Sequence, residues 1–213
     1  MSDPAATPEP SQPAVDETHS VVKAAGLIGI ATFSSRILGF VRDMVLARLF
    51  GATPAADAFF VAYRVPNLLR ELFAEGSMSA AFIPVFTEYH TLKAKRDAWE
   101  LASATFTTLL TIVTAVTLVG ILAAPGIVWL LAPGFRESVD KLALTTLLTQ
   151  LMFPYLIFIS LAALAMGILN SLRDFAAPAF SPVFFNIFTI ACMLFLSPWL
   201  SEPILAVAIG IVV

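Results

Sequence analysis

Two stretches of this chain, Leu101 to Phe135 and Leu142 to Leu172, contain no charged residue. Each exceeds the roughly 20 apolar residues that carry a helix across a bilayer, so each predicts a membrane span. A third uncharged run, Phe175 to Ser201, contains Pro178 and Pro182. Membrane helices tolerate proline where neighbouring helices or side chains re-satisfy the freed carbonyls, so this run predicts a span as well. The composition points the same way. The chain is 59% hydrophobic and 13% charged, against roughly 45 to 50% apolar and 25% charged residues in soluble domains.

Two earlier segments, Val21 to Phe50 and Asp57 to Tyr89, are helical in pattern but carry Arg36, Arg42, Asp43, Arg48, Asp57, Arg64, Arg70, Glu71 and Glu75. After Glu202 and Pro203 the run Ile204 to Val213 is wholly apolar, yet at 1.5 Å per residue it reaches about 15 Å, half a hydrocarbon core. The expectation is an all-α, polytopic transmembrane helical bundle over residues 21–213, with about six spans, the last incomplete. Residues 1–20 hold Pro4, Pro8, Pro10, Pro13, Asp3, Glu9, Asp16 and Glu17 but no lysine or arginine, and read as a disordered acidic tail. They lack the basic start and apolar core of a secretory signal.

The loop cations suggest an orientation. Lys93, Lys95 and Arg96 lie between the second and third expected spans and Arg173 between the fourth and fifth, with Lys23 at the same end. Arg48, Arg136 and Lys141 occupy the other end. The positive-inside rule therefore places the amino terminus in the cytoplasm, by a narrow margin.

Several functions are excluded. A formal net charge of −3 gives no basic footprint for nucleic acid. The lone cysteine, Cys192, forms neither an internal disulfide nor a multi-cysteine metal site. There is no Walker loop, HExxH or GxSxG, so no enzyme, cofactor or metal is expected. His19 and His90 are isolated and read as solvated residues.

The charged helices are the informative part. An arginine at mid-bilayer costs about 2.5 to 3.5 kcal/mol, and a leucine returns about 0.3 to 0.6. Arg36, Arg42, Arg64 and Arg70 are therefore expected to face protein or a watery cavity. Every cation between Lys23 and Lys93 is arginine, whose planar fork of donors suits phosphate or carboxylate oxygens. The competing reading is that these arginines only pair with nearby acids. At 3.6 residues per turn Asp57, Arg64, Glu71 and Glu75 share a face beside Asn67, so Arg64 is expected in an ion pair. Arg70 points away as the freer cation. Arg36 aligns with Asp43, Arg42 aligns with Ser35, and Gly39 between them permits bending or close approach.

The run SSRILGFVRD at Ser34 to Asp43, then Ala47, Arg48, Phe50, Gly51 and Asp57 to Phe60, resembles the opening of the MurJ (MviN) family. Pro66 to Arg70, FAEG at Phe73 to Gly76, AFIPVFTEY at Ala81 to Tyr89, APGF at Ala132 to Phe135 and FPY at Phe153 to Tyr155 continue the resemblance in order. It implies one lobe of a two-lobe exporter that works by alternating access around a central cavity in the cytoplasmic (inner) membrane. The implied cargo is lipid II, the undecaprenyl-pyrophosphate-linked disaccharide-pentapeptide. The implied partners are membrane lipids and a carboxy-terminal lobe that this sequence does not contain. By the same resemblance Arg36, Arg42, Asp57 and Arg70 match charged cavity positions that engage the headgroup, with Ser35, Asn67 and Glu75 as supporting polar positions. The acidic tail is outside the family pattern.

Two alternatives stand beside this. Multidrug efflux within the same superfamily would favour an aromatic, acidic pocket over an arginine-lined one. A non-transporting scaffold would use every charge in a structural pair. A voltage sensor fits poorly, because Arg36, Arg42 and Arg48 recur only every six residues and acids intervene.

Overall fold

The structure is a computed structural model that describes residues 13–72 and 78–213, with side chains placed for 25–72 and 81–213. It is a helical transmembrane bundle with no strand among the described residues. Helix α1 spans Pro13–Phe50, α2 Pro54–Arg70, α3 Met78–Leu92, α4 Lys95–Leu131, α5 Val139–Met152, α6 Tyr155–Ser171, α7 Ala176–Phe195 and α8 Leu205–Val212. Residues 13–20 of the expected tail are therefore helical, because α1 begins at Pro13. The rest of that expectation, residues 1–12, lies outside the described residues.

Among the described residues, four segments are long and apolar enough to cross a membrane: Ala25–Phe50, Lys95–Leu131, Val139–Ser171 and Ala176–Trp199. One expected span is described only in part, and another is interrupted. The second, Asp57 to Tyr89, is described as α2 and α3, with a π-helical turn at residues 71–72. The fourth bends at Phe153–Pro154, where proline supplies no amide to the preceding turn. The bend has a packing partner: Phe153 is buried, and a Cβ on Gly120 of α4 would overlap its ring.

The α1–α2 corner follows from local chemistry. Gly51 takes a φ of +52°, which glycine adopts without a Cβ penalty, and its amide bonds to the Ala47 carbonyl at 2.9 Å. Thr53 then caps α2 by accepting from the Ala56 amide at 3.3 Å, with Pro54 in the first turn where no amide is needed.

Two apolar cores result. One joins α2, α5, α7 and α8 through Phe59, Leu148, Met152, Met193, Val207 and Ile211. The other joins α3, α4 and α6 through Phe82, Phe86, Leu109, Val113, Leu156 and Leu164. Helix α2 thus packs on α5 and α3 on α6. Helix α1 packs chiefly on α7.

Several hydroxyls inside apolar helices donate to the carbonyl one turn back, as at Thr105, Thr111, Thr145 and Thr149, whereas Thr117 Oγ1 and Ser160 Oγ are buried without a partner among the described residues. The outer face of α4 leaves Leu118, Val119, Leu122 and Leu130 exposed, which suits lipid and not water. Cations sit over aromatic rings at both ends of the bundle. Lys93 lies 3.7 Å from the Tyr89 ring centroid at one end, and Arg136 lies 3.6 Å from that of Trp129 at the other.

Candidate functional site

A cavity of about 110 Å³ opens between α1, α2, α7 and α8. Phe59, Phe60 and Tyr63 of α2 and Phe185 and Met193 of α7 form apolar walls, and Arg42 and Asp43 of α1 supply its charge. Arg42 is thus turned toward protein, as the insertion cost of arginine requires. Its Nε and Nη2 donate to Asp43 Oδ1 at 3.1 and 2.9 Å. Its Nη1 donates to Asn186 Oδ1 on α7 at 3.2 Å, and its Cζ lies 6.0 Å from the Phe185 ring centroid. A guanidinium has five N–H donors. Three are engaged here, which leaves one on Nη1 and one on Nη2.

Asp43 is therefore the partner of Arg42, its neighbour in sequence, and not of Arg36, with which helical spacing aligns it. Arg36 is exposed and makes no ion pair among the described residues. Ser35 contributes through its backbone carbonyl, which accepts from Asn186 Nδ2 at 3.2 Å.

The remaining candidate residues lie apart from this cluster. Asp57 accepts from Lys141 Nζ of α5 at 2.8 Å, an ion pair in which the aspartate side chain is 61% exposed and the lysine 19%. Lys141 also lies 4.0 Å from the Phe135 ring centroid. Arg64 is exposed and makes no ion pair among the described residues, contrary to the expectation from its helical face. The reason is reach: pairs three or four residues apart meet on a helix, whereas Asp57 and Arg64 are seven apart and Lys141 approaches Asp57 directly from α5. Arg70 is not the freer cation either. Its Nε donates to Asn67 Oδ1 at 3.1 Å, and Asn67 Nδ2 donates to Glu71 Oε1 at 3.2 Å. Arg70 lies 13 residues beyond Asp57 on α2, about 20 Å at 1.5 Å per residue. Glu75 and the FAEG segment lie outside the described residues.

A family model described as "Lipid II flippase MurJ" matches residues 46–213. The chain belongs to the lipid II flippase MurJ family. A probable lipid II flippase MurJ of Vibrio cholerae is 42% identical over 207 residues, covering 92% of this chain and 39% of that protein. A lipid II flippase MurJ of Burkholderia cenocepacia is 40% identical over 182 residues, covering 85% of this chain and 35% of that protein. A solved structure of lipid II flippase MurJ in an inward closed conformation matches with a TM-score of 0.69 at 31% identity. That match covers 87% of this chain and 39% of the solved one. The chain therefore spans about two fifths of the length of the MurJ relatives it matches.

Neither Asn186 nor the pairing of Lys141 with Asp57 was expected from the sequence of this MurJ lobe. One signal for Asn186 was present: it is the lone amide side chain in a helix that carries no charge. Nothing local marks Lys141 as the partner of Asp57, since the two are 84 positions apart.

Proposed function

We propose that residues 21–213 form the amino-terminal lobe of a flippase that moves lipid II from the cytoplasmic to the periplasmic leaflet of the cytoplasmic membrane. Transport is by alternating access and leaves the cargo chemically unchanged. A second lobe, carried by the remaining length that its relatives have, would supply the opposite wall. The amino terminus is cytoplasmic in this reading, and residues 1–20, of which 13–20 are the first turns of α1, lie outside the transport unit.

The observation that carries the proposal is Arg42. Its guanidinium borders a cavity instead of lipid and keeps one N–H on each terminal nitrogen, a donor pair matched to pyrophosphate oxygens. The neighbouring Phe59, Phe60, Tyr63 and Phe185 offer apolar surface beside the charge. Arg36 and Arg70 are proposed to extend the anion-facing surface, with Ser35, Asn67 and Glu75 in supporting positions. Asp57 enters through its pair with Lys141, which ties α2 to α5.

Reconstitution tests the proposal. Full-length protein in proteoliposomes should make lipid II loaded in one leaflet accessible to a membrane-impermeant enzyme or label on the other side. A folded protein that leaves lipid II in its original leaflet would overturn it.

A further inference from the structure

We infer that Asn186 is a positioning residue that aims the Arg42 guanidinium at the substrate anion, an inference that rests on the lipid-linked pyrophosphate reading above. Asn186 is 5% exposed in a helix without a charged residue. A buried amide is costly unless both of its ends are bonded. Here both ends are bonded, and both bonds reach α1. The carbonyl oxygen accepts from Arg42 Nη1, and the amide nitrogen donates to the Ser35 carbonyl, each at 3.2 Å. Ser35 and Arg42 are seven residues apart, two helical turns along one stripe of α1. Gly39 lies between them, and Asn186 Nδ2 passes within ordinary contact distance, 3.8 Å, of where a Cβ would stand there.

Asp43 alone would not aim the arginine. Its carboxylate is 63% exposed and belongs to the same helix, so it travels with Arg42. Asn186 belongs to another helix and supplies an external reference. That reference itself meets α8 one turn on, where the single Thr189 hydroxyl proton is shared between the Phe185 carbonyl of its own helix at 2.8 Å and the Gly210 carbonyl of α8 at 3.0 Å. A Cβ on Gly210 would stand 2.9 Å from the Thr189 Cα, so α7 and α8 approach closely at this level. The direction of the two uncommitted Arg42 donors is thus set by the body of the bundle and not by α1 alone.

Equilibrium binding of lipid II to the purified full-length protein, with thermal unfolding measured in parallel, tests this. Asn186→Leu should weaken binding about three- to tenfold while Arg42 is present. In an Arg42→Lys background, where the charge remains but the planar fork is gone, the same change should cost less than about twofold. Asn186→Gln keeps the polar groups in the seam but displaces the amide by one methylene, and should reproduce this pattern if Asn186→Leu fails to fold. Equal losses in both backgrounds would mark a packing role and overturn the inference. Weakened binding in Arg42→Ala together with wild-type binding in both Asn186 variants would overturn it alone. Wild-type binding in Arg42→Ala would overturn the headgroup reading of Arg42, and this inference with it.

Discussion

The side-chain amide of Gln150 in α5 donates to the backbone carbonyl of Ile121 in α4 at 3.2 Å. Ile121 stands four residues before Pro125, which lies inside α4 and has no amide to give it. Gln150 thus supplies from a neighbouring helix the bond that α4 cannot make for itself, in a region where lipid offers no water as a substitute.

Gln150→Leu should therefore destabilise the protein by about 0.6 kcal/mol, the average for side-chain hydrogen bonds between membrane helices, and by no more than about 1.7 kcal/mol. In a Pro125→Ala background the backbone amide is restored, and the cost of Gln150→Leu should fall toward zero. Unfolding of the four variants in detergent measures the coupling. Equal costs in the two backgrounds would show that Gln150 stabilises by packing alone.

Arg42→Lys should impair lipid II transport although it keeps the charge, because one ammonium cannot bond Asp43, Asn186 and two substrate oxygens in a fixed plane. The loss of a charge-assisted bond, about 1.5 to 3 kcal/mol, corresponds to roughly a tenfold to hundredfold loss of substrate affinity. Arg42→Ala should be worse. Arg136→Ala should be mild for transport, since the Arg136 guanidinium donates to the Trp129 carbonyl and lies over the Trp129 ring at the end of α4, away from the cavity. Transport assays at matched membrane abundance decide the order, and full activity in Arg42→Ala would remove it from the site.

Asp57 and Lys141 form a partly solvated pair, so Lys141→Ala should cost at most about 1 kcal/mol of stability. Reversing both charges, Asp57→Lys with Lys141→Asp, should recover the stability and transport lost in either single reversal. A double variant that is stable yet inactive would assign Asp57 to the substrate instead of to this pair.

The loop containing Lys93 to Asp97 should face the cytoplasm and Ser138 the periplasm. Single cysteines at positions 95 and 138, introduced with Cys192→Ala, should react oppositely with an impermeant maleimide applied to intact cells whose outer membrane is permeable to it. Labelling at position 95 under those conditions would invert the topology.

The uncharged runs at Leu101 to Phe135, Leu142 to Leu172 and Phe175 to Ser201 sufficed to locate three spans, because the cost of placing a residue in hydrocarbon is set residue by residue along one helix. The same additive cost led to the expectation that Arg36, Arg42, Arg64 and Arg70 turn from lipid; the structure places Arg42 beside a cavity and leaves Arg36 and Arg64 exposed. The order of motifs from Ser34 to Tyr155 was enough to indicate the family.

Pairing was decided elsewhere. Helical periodicity ranks faces within one helix, so it aligned Asp57 with Arg64 and Asp43 with Arg36, whereas the folded chain joins Asp57 to Lys141 and Arg42 to both Asp43 and Asn186. Arg42 and Asn186 are 144 positions apart. The bend at Phe153–Pro154 likewise depends on Gly120, a residue on a different helix whose missing side chain leaves room for the ring. Hydrophobicity and period are properties of a segment and can be read from it. A hydrogen bond between helices is a property of two segments at one distance and rotation, and only the packing of α1 on α7, α2 on α5 and α4 on α5 fixed those distances.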